Sequence, residues 1–196
     1  MNILIIYAHP YNQSFNHAIK ECVVSAAEAA QNQVIVRDLY ALNFNPVLSG
    51  SELVNSFNGG EDMPDDVQIE QEYLTWADAV VLVYPLWWAG MPAILRGYLD
   101  RVLSYGFAYI ATDAGIIGLL GDKRIIMINT IGAAEEVYQK NGMLNALETI
   151  ANPGIFNFCG TRVEKYFHFC GIPDSTLEQR QKMLSEIHAY FSSLKE

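Results

Sequence analysis

Cysteine is scarce in this sequence, which contains only Cys22, Cys159 and Cys170 among its 196 residues. An odd number of cysteines cannot all be joined in disulfides within one chain, and none of the three forms a C-x-x-C pair. The chain also lacks a basic signal-peptide segment at its start, and no apolar run approaches the roughly 18 residues needed to span a bilayer. These absences predict a cytoplasmic protein in a reducing compartment.

Positive charge is sparse as well, because 12 Lys and Arg residues stand against 22 Asp and Glu residues and the formal net charge is −10. No basic residue occurs between Arg37 and Arg96, so we expect no non-specific binding to nucleic acid or anionic lipid. Hydrophobic residues make up 51% of the chain and charged residues 17%, which excludes a long disordered segment. Length and composition predict a single domain over residues 1–196.

Several motifs that carry chemistry are missing. There is no G-x-G-x-x-G, no G-x-x-x-x-G-K-[ST] and no G-x-S-x-G, so a Rossmann dinucleotide fold, a P-loop NTPase and an α/β-hydrolase lack their signatures. The four histidines are scattered, and no Cys/His cluster indicates a metal. We therefore expect no metal site.

Short apolar runs alternate with helix-like stretches along the chain. Three of the runs show almost no polar alternation, as expected of parallel strands that are covered on both faces. The predicted strands are residues 3–8, 33–36, 79–84, 124–129 and 162–169. The predicted helices include residues 14–30, 64–76, 93–103 and 174–194. This order predicts an open α/β sandwich.

Ligands of such sheets bind beyond the carboxyl ends of the strands, so the loops after strands one, three and four are the places to look. The stretch from residue 40 to 66 is longer than most connections and carries Gly59 and Gly60 in an acidic run. Its length predicts a functional loop or a mobile excursion. The acidic pairs 65–66 and 135–136 are typical of helix starts.

The loop after strand one leads directly into a helix through Ser14 and Asn16. These side chains beside free helix-start amides are suited to a phosphate, although Ser14 as a simple helix cap is an equally good interpretation. His9 by itself is more typical of a structural hydrogen bond than of a catalyst. The local sequence leaves both interpretations open.

The loop after strand three holds two adjacent tryptophans, Trp87 and Trp88, between Pro85 and Pro92. Neighbouring residues of an extended or turning segment point in different directions, so at least one tryptophan is expected at a surface or cleft. Such a loop suits a flat ring system. The alternative is that both tryptophans pack under the long acidic stretch.

The loop after strand four combines small residues with Tyr138 a few positions later. Gly132 and Ala133 let backbone amides approach a ligand edge, and a tyrosine hydroxyl can donate to charge that develops on an oxygen. This signal is weak alone. It gains weight because the three loops would offer a phosphate cradle, an aromatic wall and polar donors at one place.

Taken as a set, the motifs resemble the NAD(P)H:quinone oxidoreductase family, the DT-diaphorase-like branch of the flavodoxin-like fold. The segments that carry the resemblance are YAHP (7–10), SFN (14–16), DLY (38–40), FNP (44–46), PLWWAGMPAILRG (85–97), GFAY (106–109) and FCG (158–160). The resemblance implies a three-layer flavodoxin-like sandwich whose five-stranded parallel sheet has the order 2-1-3-4-5. It also implies a bound flavin, FAD or FMN, NAD(P)H as reductant, and a homodimer with active sites at the subunit interface.

The resemblance also assigns roles to residues. The positions that match the family's flavin phosphate and ribityl contacts are His9, Ser14, Phe15, Asn16 and Ala18. The positions that match the loop along the isoalloxazine ring are Pro85, Leu86, Trp87, Trp88 and Ala89. The positions that match the pyrimidine-edge loop are Thr130, Ile131, Gly132, Ala133 and Tyr138. Tyr138 is the implied catalytic residue, and the implied substrate pocket consists of Trp88 together with Tyr109 from across the dimer.

Two departures from the family pattern stand out. Better-known mammalian members carry a His six residues after the Tyr, where this chain has Leu144. The resemblance therefore implies that Tyr138 acts alone or with backbone N–H groups and water. The stretch from residue 40 to 66 is shorter than in those members, so part of the region that covers an adenine is missing. The choice between FAD and FMN therefore stays open.

The implied activity is ping-pong hydride transfer from NAD(P)H through flavin N5 to quinones or related flat acceptors. Two alternatives belong to other functional classes. One is a flavodoxin-like electron carrier whose acidic surface docks basic partners. The other is a regulatory flavoprotein subunit of a membrane transporter.

Overall fold

A computed structural model of the chain describes residues 1–58 and 62–195. Strands and helices alternate along most of it. The strands are β1 Asn2–Tyr7, β2 Gln33–Asp38, β3 Ala79–Pro85, β4 Tyr109–Thr112, β5 Gly115–Gly118, β6 Arg124–Thr130 and β7 Arg162–Phe169. The helices are α1 Phe15–Ala29, α2 Gly50–Phe57, α3 Asp65–Trp76, α4 Ala93–Val102, α5 Glu135–Lys140, α6 Met143–Ala151 and α7 Leu177–Ser193.

The central sheet has the strand order β2-β1-β3-β6-β7, and every neighbouring pair is parallel. This is the predicted order 2-1-3-4-5 when only the strands of this sheet are numbered, and the predicted flavodoxin-like fold is confirmed. All seven residues of β3 are buried, because helices cover both faces of the sheet. That double cover explains why the predicted central strands are apolar without alternation.

Two separate cores lie on the two faces of the sheet. Ile5 and Val81 pack with α1 and α7 through Val23 and Phe191 on one face. The other face packs against α3 and α4, where the fully buried Tyr98 lies in the core. Ser14 caps α1, and Thr176 forms a capping box with Gln179 at the start of α7. The helices therefore begin close to the positions that their capping residues predict.

The stretch from residue 40 to 66 differs from its prediction as a loop, because it contains α2. This helix starts with a capping box between Ser49 and Glu52. Glu52 is buried and accepts a hydrogen bond at 2.6 Å from Nε of Arg101 on α4, so the ion pair fastens α2 to the body of the protein. Gly59 and Gly60, on which the prediction of a mobile excursion depended, lie outside the described residues.

A small antiparallel hairpin of β4 and β5 was not predicted. Each strand has four residues, which is too short for a clear hydrophobic pattern. Gly118 at the end of β5 lies directly against the backbone of Gly160, where a Cβ at position 118 would collide with it. The hairpin is docked by this contact between two glycines.

Candidate functional site

Hydrogen bonds join the segments that follow β1, β3 and β6. Leu86 N donates to Thr130 O at 2.8 Å, and Pro85 is in register with Thr130 at the ends of β3 and β6. Asn16 Nδ2 donates to Thr130 Oγ1 at 2.7 Å, which ties the first turn of α1 to the end of β6. The structure therefore brings the three predicted loops to one edge of the sheet.

The start of α1 has the features of an anion cradle. Ser14 Oγ accepts from His17 N at 3.1 Å, so Ser14 does cap the helix. The amides of Phe15 and Asn16 belong to the first turn, where an α-helix provides no backbone acceptor. Ala18, half-buried one turn into the helix, donates from its N to Ser14 O at 3.3 Å. The cap and the cradle are compatible, because the cap uses only one of the first-turn donors.

The side chain of Asn16 is buried and uses only one of its two polar atoms. Its Nδ2 donates to Thr130, while its Oδ1 has no hydrogen-bond partner among the residues that the structure describes. A buried amide oxygen without a donor carries a desolvation cost, so this atom is suited to a ligand hydroxyl at the first turn of α1.

His9 makes a local hydrogen bond within the loop after β1 and lies beside Trp87. Its Nδ1 accepts from Tyr11 N at 3.1 Å, and its ring lies 5.9 Å from the ring of Trp87. Burial lowers the pKa of His9, so the imidazole is neutral at neutral pH. The contact with Trp87 links the loop after β1 to the loop after β3.

The loop after β3 contains a tight turn whose corner is Trp88 and Ala89. Trp87 N donates to Gly90 O at 3.0 Å and Gly90 N donates to Trp87 O at 2.9 Å, while φ is 51° at Trp88 and 58° at Ala89. Positive φ at both corner residues is the signature of a type I′ turn, which normally selects Asn and Gly. Two side chains in this conformation mark a strained backbone of the kind found at ligand sites. We call residues 87–90 the aromatic turn.

The aromatic turn points its rings outward. Trp88 is fully exposed and Trp87 is 42% exposed, so the alternative in which both pack under the acidic stretch is wrong. The amides of Trp88 and Ala89 have no acceptor within the described part of the chain. A flat ligand could stack on an exposed indole and accept from these amides.

The loop after β6 offers further free donors. Ile131 is buried and its N donates to Phe169 O at 2.8 Å, which anchors the loop to β7. The amides of Gly132 and Ala133 make no hydrogen bond to another described residue, and open space surrounds the position of a Cβ at Gly132. Gly132 therefore allows close approach of a ligand edge.

Tyr138 lies half-buried on α5, where it packs against the core on the α3 and α4 face of the sheet. No hydrogen bond to its hydroxyl is present among the described residues. The ring of Tyr109 lies 4.6 Å from Phe158 and 5.7 Å from Tyr105, and no ring contact joins it to the three loops within residues 1–58 and 62–195. Its predicted place in the substrate pocket needs a second copy of the chain.

Sequence reasoning missed a polar cluster on the sheet behind the aromatic turn. Asn129 Nδ2 donates to Tyr84 Oη at 3.4 Å, and Asn129 Oδ1 lies 3.0 Å from Nδ1 of His168. The three residues come from β3, β6 and β7, so no local motif could have identified them. The signal in the sequence is a polar residue at the end of each apolar strand.

No helix in residues 1–58 or 62–195 is long and apolar enough to cross a membrane. The same ranges contain no group of three or more His, Cys, Asp or Glu residues suited to a metal ion.

Comparison with known proteins places this architecture in a family. Residues 1–191 match the family model of the flavodoxin-like fold. The chain is 45% identical to an uncharacterized NAD(P)H oxidoreductase of Haemophilus influenzae over 82% of this chain and 79% of the relative. It is 31% identical to ribosyldihydronicotinamide dehydrogenase [quinone] of Rattus norvegicus over 93% of this chain and 87% of the relative.

A solved structure extends the comparison. The NAD(P)H:quinone oxidoreductase from Methanothermobacter marburgensis superposes with a TM-score of 0.87 at 28% identity, covering 100% of this chain and 99% of that one. The fold of the chain agrees with that structure and with the family model. The chain belongs to the NAD(P)H:quinone oxidoreductase family of flavodoxin-like proteins.

Proposed function

We propose that this protein is a flavin-dependent NAD(P)H:quinone oxidoreductase that reduces quinones or related flat acceptors. The observation that carries the proposal is the joined set of three loops. Within the described residues, the amides of Trp88, Ala89, Gly132 and Ala133 and the Oδ1 atom of Asn16 have no hydrogen-bond partner. The relatives named for this activity support it.

The residues fit a flavin in their chemistry. The first-turn amides of α1 and Ser14 would hold the phosphate, because a helix start favours an anion. Asn16 Oδ1 would accept from a ribityl hydroxyl. The aromatic turn would lie along the ring system, with Gly132 and Ala133 at the pyrimidine edge.

When bound, the flavin supplies hydride transfer between NAD(P)H and the acceptor. The chain orients it, and the amides of Gly132 and Ala133 together with the Tyr138 hydroxyl donate toward the edge where negative charge develops. Trp88 offers a stacking surface for flat substrates. One pocket would serve reductant and acceptor in turn, so ping-pong kinetics are expected.

The proposed active unit is a homodimer. Ile116 and Ile117 are each 48% exposed on the hairpin, and Leu119 and Phe158 are each 42% exposed. Apolar exposure of this kind is typical of an interaction surface. A second copy covering this region would also bring Tyr109, which contacts Phe158, toward a neighbouring site.

A spectroscopic titration tests the proposal. The purified protein is supplemented with FMN or FAD, reduced without oxygen by NADH or NADPH, and then mixed with menadione. Bleaching of the visible flavin bands by the nucleotide and their return with the quinone is expected, and comparing how much FMN and how much FAD the protein retains after desalting distinguishes the two cofactors.

The same titration separates the two alternatives. A bound flavin that neither nucleotide bleaches would favour the electron carrier or the transporter subunit, and copurification with a membrane protein would favour the latter. A protein that retains neither FMN nor FAD would overturn the assignment.

A further inference from the structure

A cavity of about 260 Å³ lies between the sheet and α6. The sheet side of its apolar lining includes Met127 of β6 and Leu86, which follows β3. The helix side includes Leu147 of α6 and Ile155, which follows α6. The cavity borders the aromatic turn through Ala89 and Gly90 but includes no residue of the α1 start or of the 132–133 segment. The cavity is therefore a separate space from the phosphate cradle and the pyrimidine-edge loop.

One end of the cavity is polar and is formed by Tyr84, Asn129 and His168. Tyr84 is 3% exposed, and its hydroxyl oxygen accepts from Asn129 Nδ2 at 3.4 Å. Because Asn129 is the donor in this contact, the hydroxyl hydrogen of Tyr84 has no acceptor within residues 1–58 and 62–195. Burial raises the pKa of Tyr84 to about 12, so the hydroxyl keeps its proton at neutral pH.

The charges around the cavity favour an uncharged ligand. Burial lowers the pKa of His168 despite the opposing effect of Glu148, whose Oε1 lies 3.5 Å from Nε2, so the imidazole is neutral at neutral pH. The carboxylate of Glu148 would repel an acid. Arg96 at the cavity wall pairs with Asp100 at 2.9 Å, which balances its charge.

We propose that this cavity binds a small, uncharged aromatic carbonyl compound, with its ring among the apolar side chains and its oxygen accepting from the Tyr84 hydroxyl. The size is sufficient, because an apolar cavity of about 150 Å³ holds benzene. The Tyr84 hydroxyl supplies the specificity. A ligand without an acceptor oxygen would leave this buried donor unpaired, so such a ligand binds more weakly than one that carries a carbonyl. The proposal does not depend on flavin chemistry.

The test uses acetophenone and ethylbenzene, which share a shape and differ by the carbonyl oxygen. Binding of each is measured by ligand-observed NMR titration on the purified protein, with and without saturating FMN. We expect acetophenone to bind at least tenfold more tightly than ethylbenzene, which is about 1.4 kcal/mol, and FMN to leave the affinity unchanged.

Three variants assign the site. Tyr84→Phe should lower the affinity for acetophenone to that for ethylbenzene. Tyr190→Phe should change neither affinity, because it removes a hydroxyl on the remote α7 that is hydrogen-bonded to Glu164. Leu147→Trp fills the cavity and should abolish binding of both ligands. Ile150→Trp repeats that test at a more exposed lining position if Leu147→Trp does not fold.

Several outcomes overturn the proposal. Failure of the unmodified protein to bind acetophenone shows that the cavity takes no such ligand. Undiminished binding to the folded tryptophan variants places the ligand elsewhere, for example on Trp88. Displacement by FMN would make the cavity a part of the flavin site, and equal affinity of the two ligands would remove Tyr84 as the recognising group.

Discussion

Asn16 illustrates how a single residue can serve two loops. Its side-chain nitrogen donates to Thr130, its buried side-chain oxygen has no partner in the described part of the chain, and Ser14 caps the helix start beside it. We predict that the double variant Ser14→Ala, Asn16→Ala retains flavin at least tenfold more weakly, because the cradle loses a capped helix start and an acceptor. Equilibrium dialysis against FMN and FAD measures the change.

Ser49→Ala is the matched control for that variant. It also removes a capping serine, at about 0.5–2 kcal/mol of stability, but from α2 outside the three loops. We expect it to lower stability without changing flavin affinity. Full flavin occupancy in the Ser14, Asn16 variant would contradict the cradle.

Tyr138 is predicted to act on the rate and not on binding. Its hydroxyl has no partner among the described residues, so Tyr138→Phe should leave flavin affinity nearly intact and slow flavin reduction by about tenfold or more. Stopped-flow reduction by NADH and NADPH measures this, with Tyr190→Phe as control. An unchanged rate would remove Tyr138 from the mechanism.

At the scale of residues, sequence could identify candidates that lie in local motifs, such as Ser14 and Trp88. It could not identify the cluster of Tyr84, Asn129 and His168, because strand pairing across the sheet brings these residues together. It also could not reveal which side-chain atoms remain unpaired, since that depends on distances across loops.

The aromatic turn is the element whose backbone carries a measurable cost. A side chain at positive φ destabilises the folded state by about 1–2 kcal/mol. Glycine removes this strain, but its greater freedom in the unfolded chain lowers the free energy of unfolding by about 0.5–1 kcal/mol. Ala89→Gly should therefore raise the free energy of unfolding by up to about 1 kcal/mol, measured by urea denaturation. Ala93→Gly, in the first turn of α4, should lower it. Equal destabilisation by both would show that Ala89 does not adopt the I′ conformation.

Helix α2 depends on the guanidinium of Arg101. Arg101 is only 3% exposed. Its Nε lies 2.6 Å from Oε1 of Glu52, and its Nη1 lies 2.6 Å from Oδ2 of Asp66. Removing one partner of a buried pair leaves an uncompensated charge, so Arg101→Met should cost about 3–5 kcal/mol in urea denaturation. Arg96→Met on the same helix breaks an exposed pair and should cost less than about 1 kcal/mol. Equal costs would refute the role of Arg101 in fastening α2.

At the scale of elements, periodicity predicted the strands of the central sheet because burial on both faces makes them distinctive. It missed α2, which has only eight residues within a long connection, although the capping pair Ser49 and Glu52 was visible in the sequence. It missed β4 and β5 because their docking depends on the close contact of Gly118 with Gly160, two segments far apart in the chain.

For the whole molecule, the organisation of the site follows from topology. Parallel strands in the order β2-β1-β3-β6-β7 bring the ends of β1, β3 and β6 to the same edge, so segments more than 100 residues apart meet there. This explains why sequence could predict the location of the site from strand order. It could not predict the cavity behind it, whose wall depends on the position of α6.

Stability in acid is a property of the whole molecule, because groups on several strands, helices and loops contribute to it. Burial lowers the pKa of His9 and His168 from the ordinary 6.5. A histidine with a lowered pKa stabilises the fold above pH 6.5, and this contribution is lost as the pH falls from 6.5 through the folded-state value, because the unfolded chain binds the proton first.

Two carboxylates add a second step at lower pH. A hydrogen bond from Arg101 lowers the pKa of Asp66, and the bonds from Ser49 and Arg101 outweigh burial to lower that of Glu52. Their stabilisation is present above the ordinary carboxylate range and is lost as the pH falls through the folded values. The free energy of unfolding should thus decline in two steps between pH 8 and pH 3, and His168→Gln should diminish the first step alone. A profile that is flat from pH 7 to pH 5 would show that the histidines are not kept neutral by the fold.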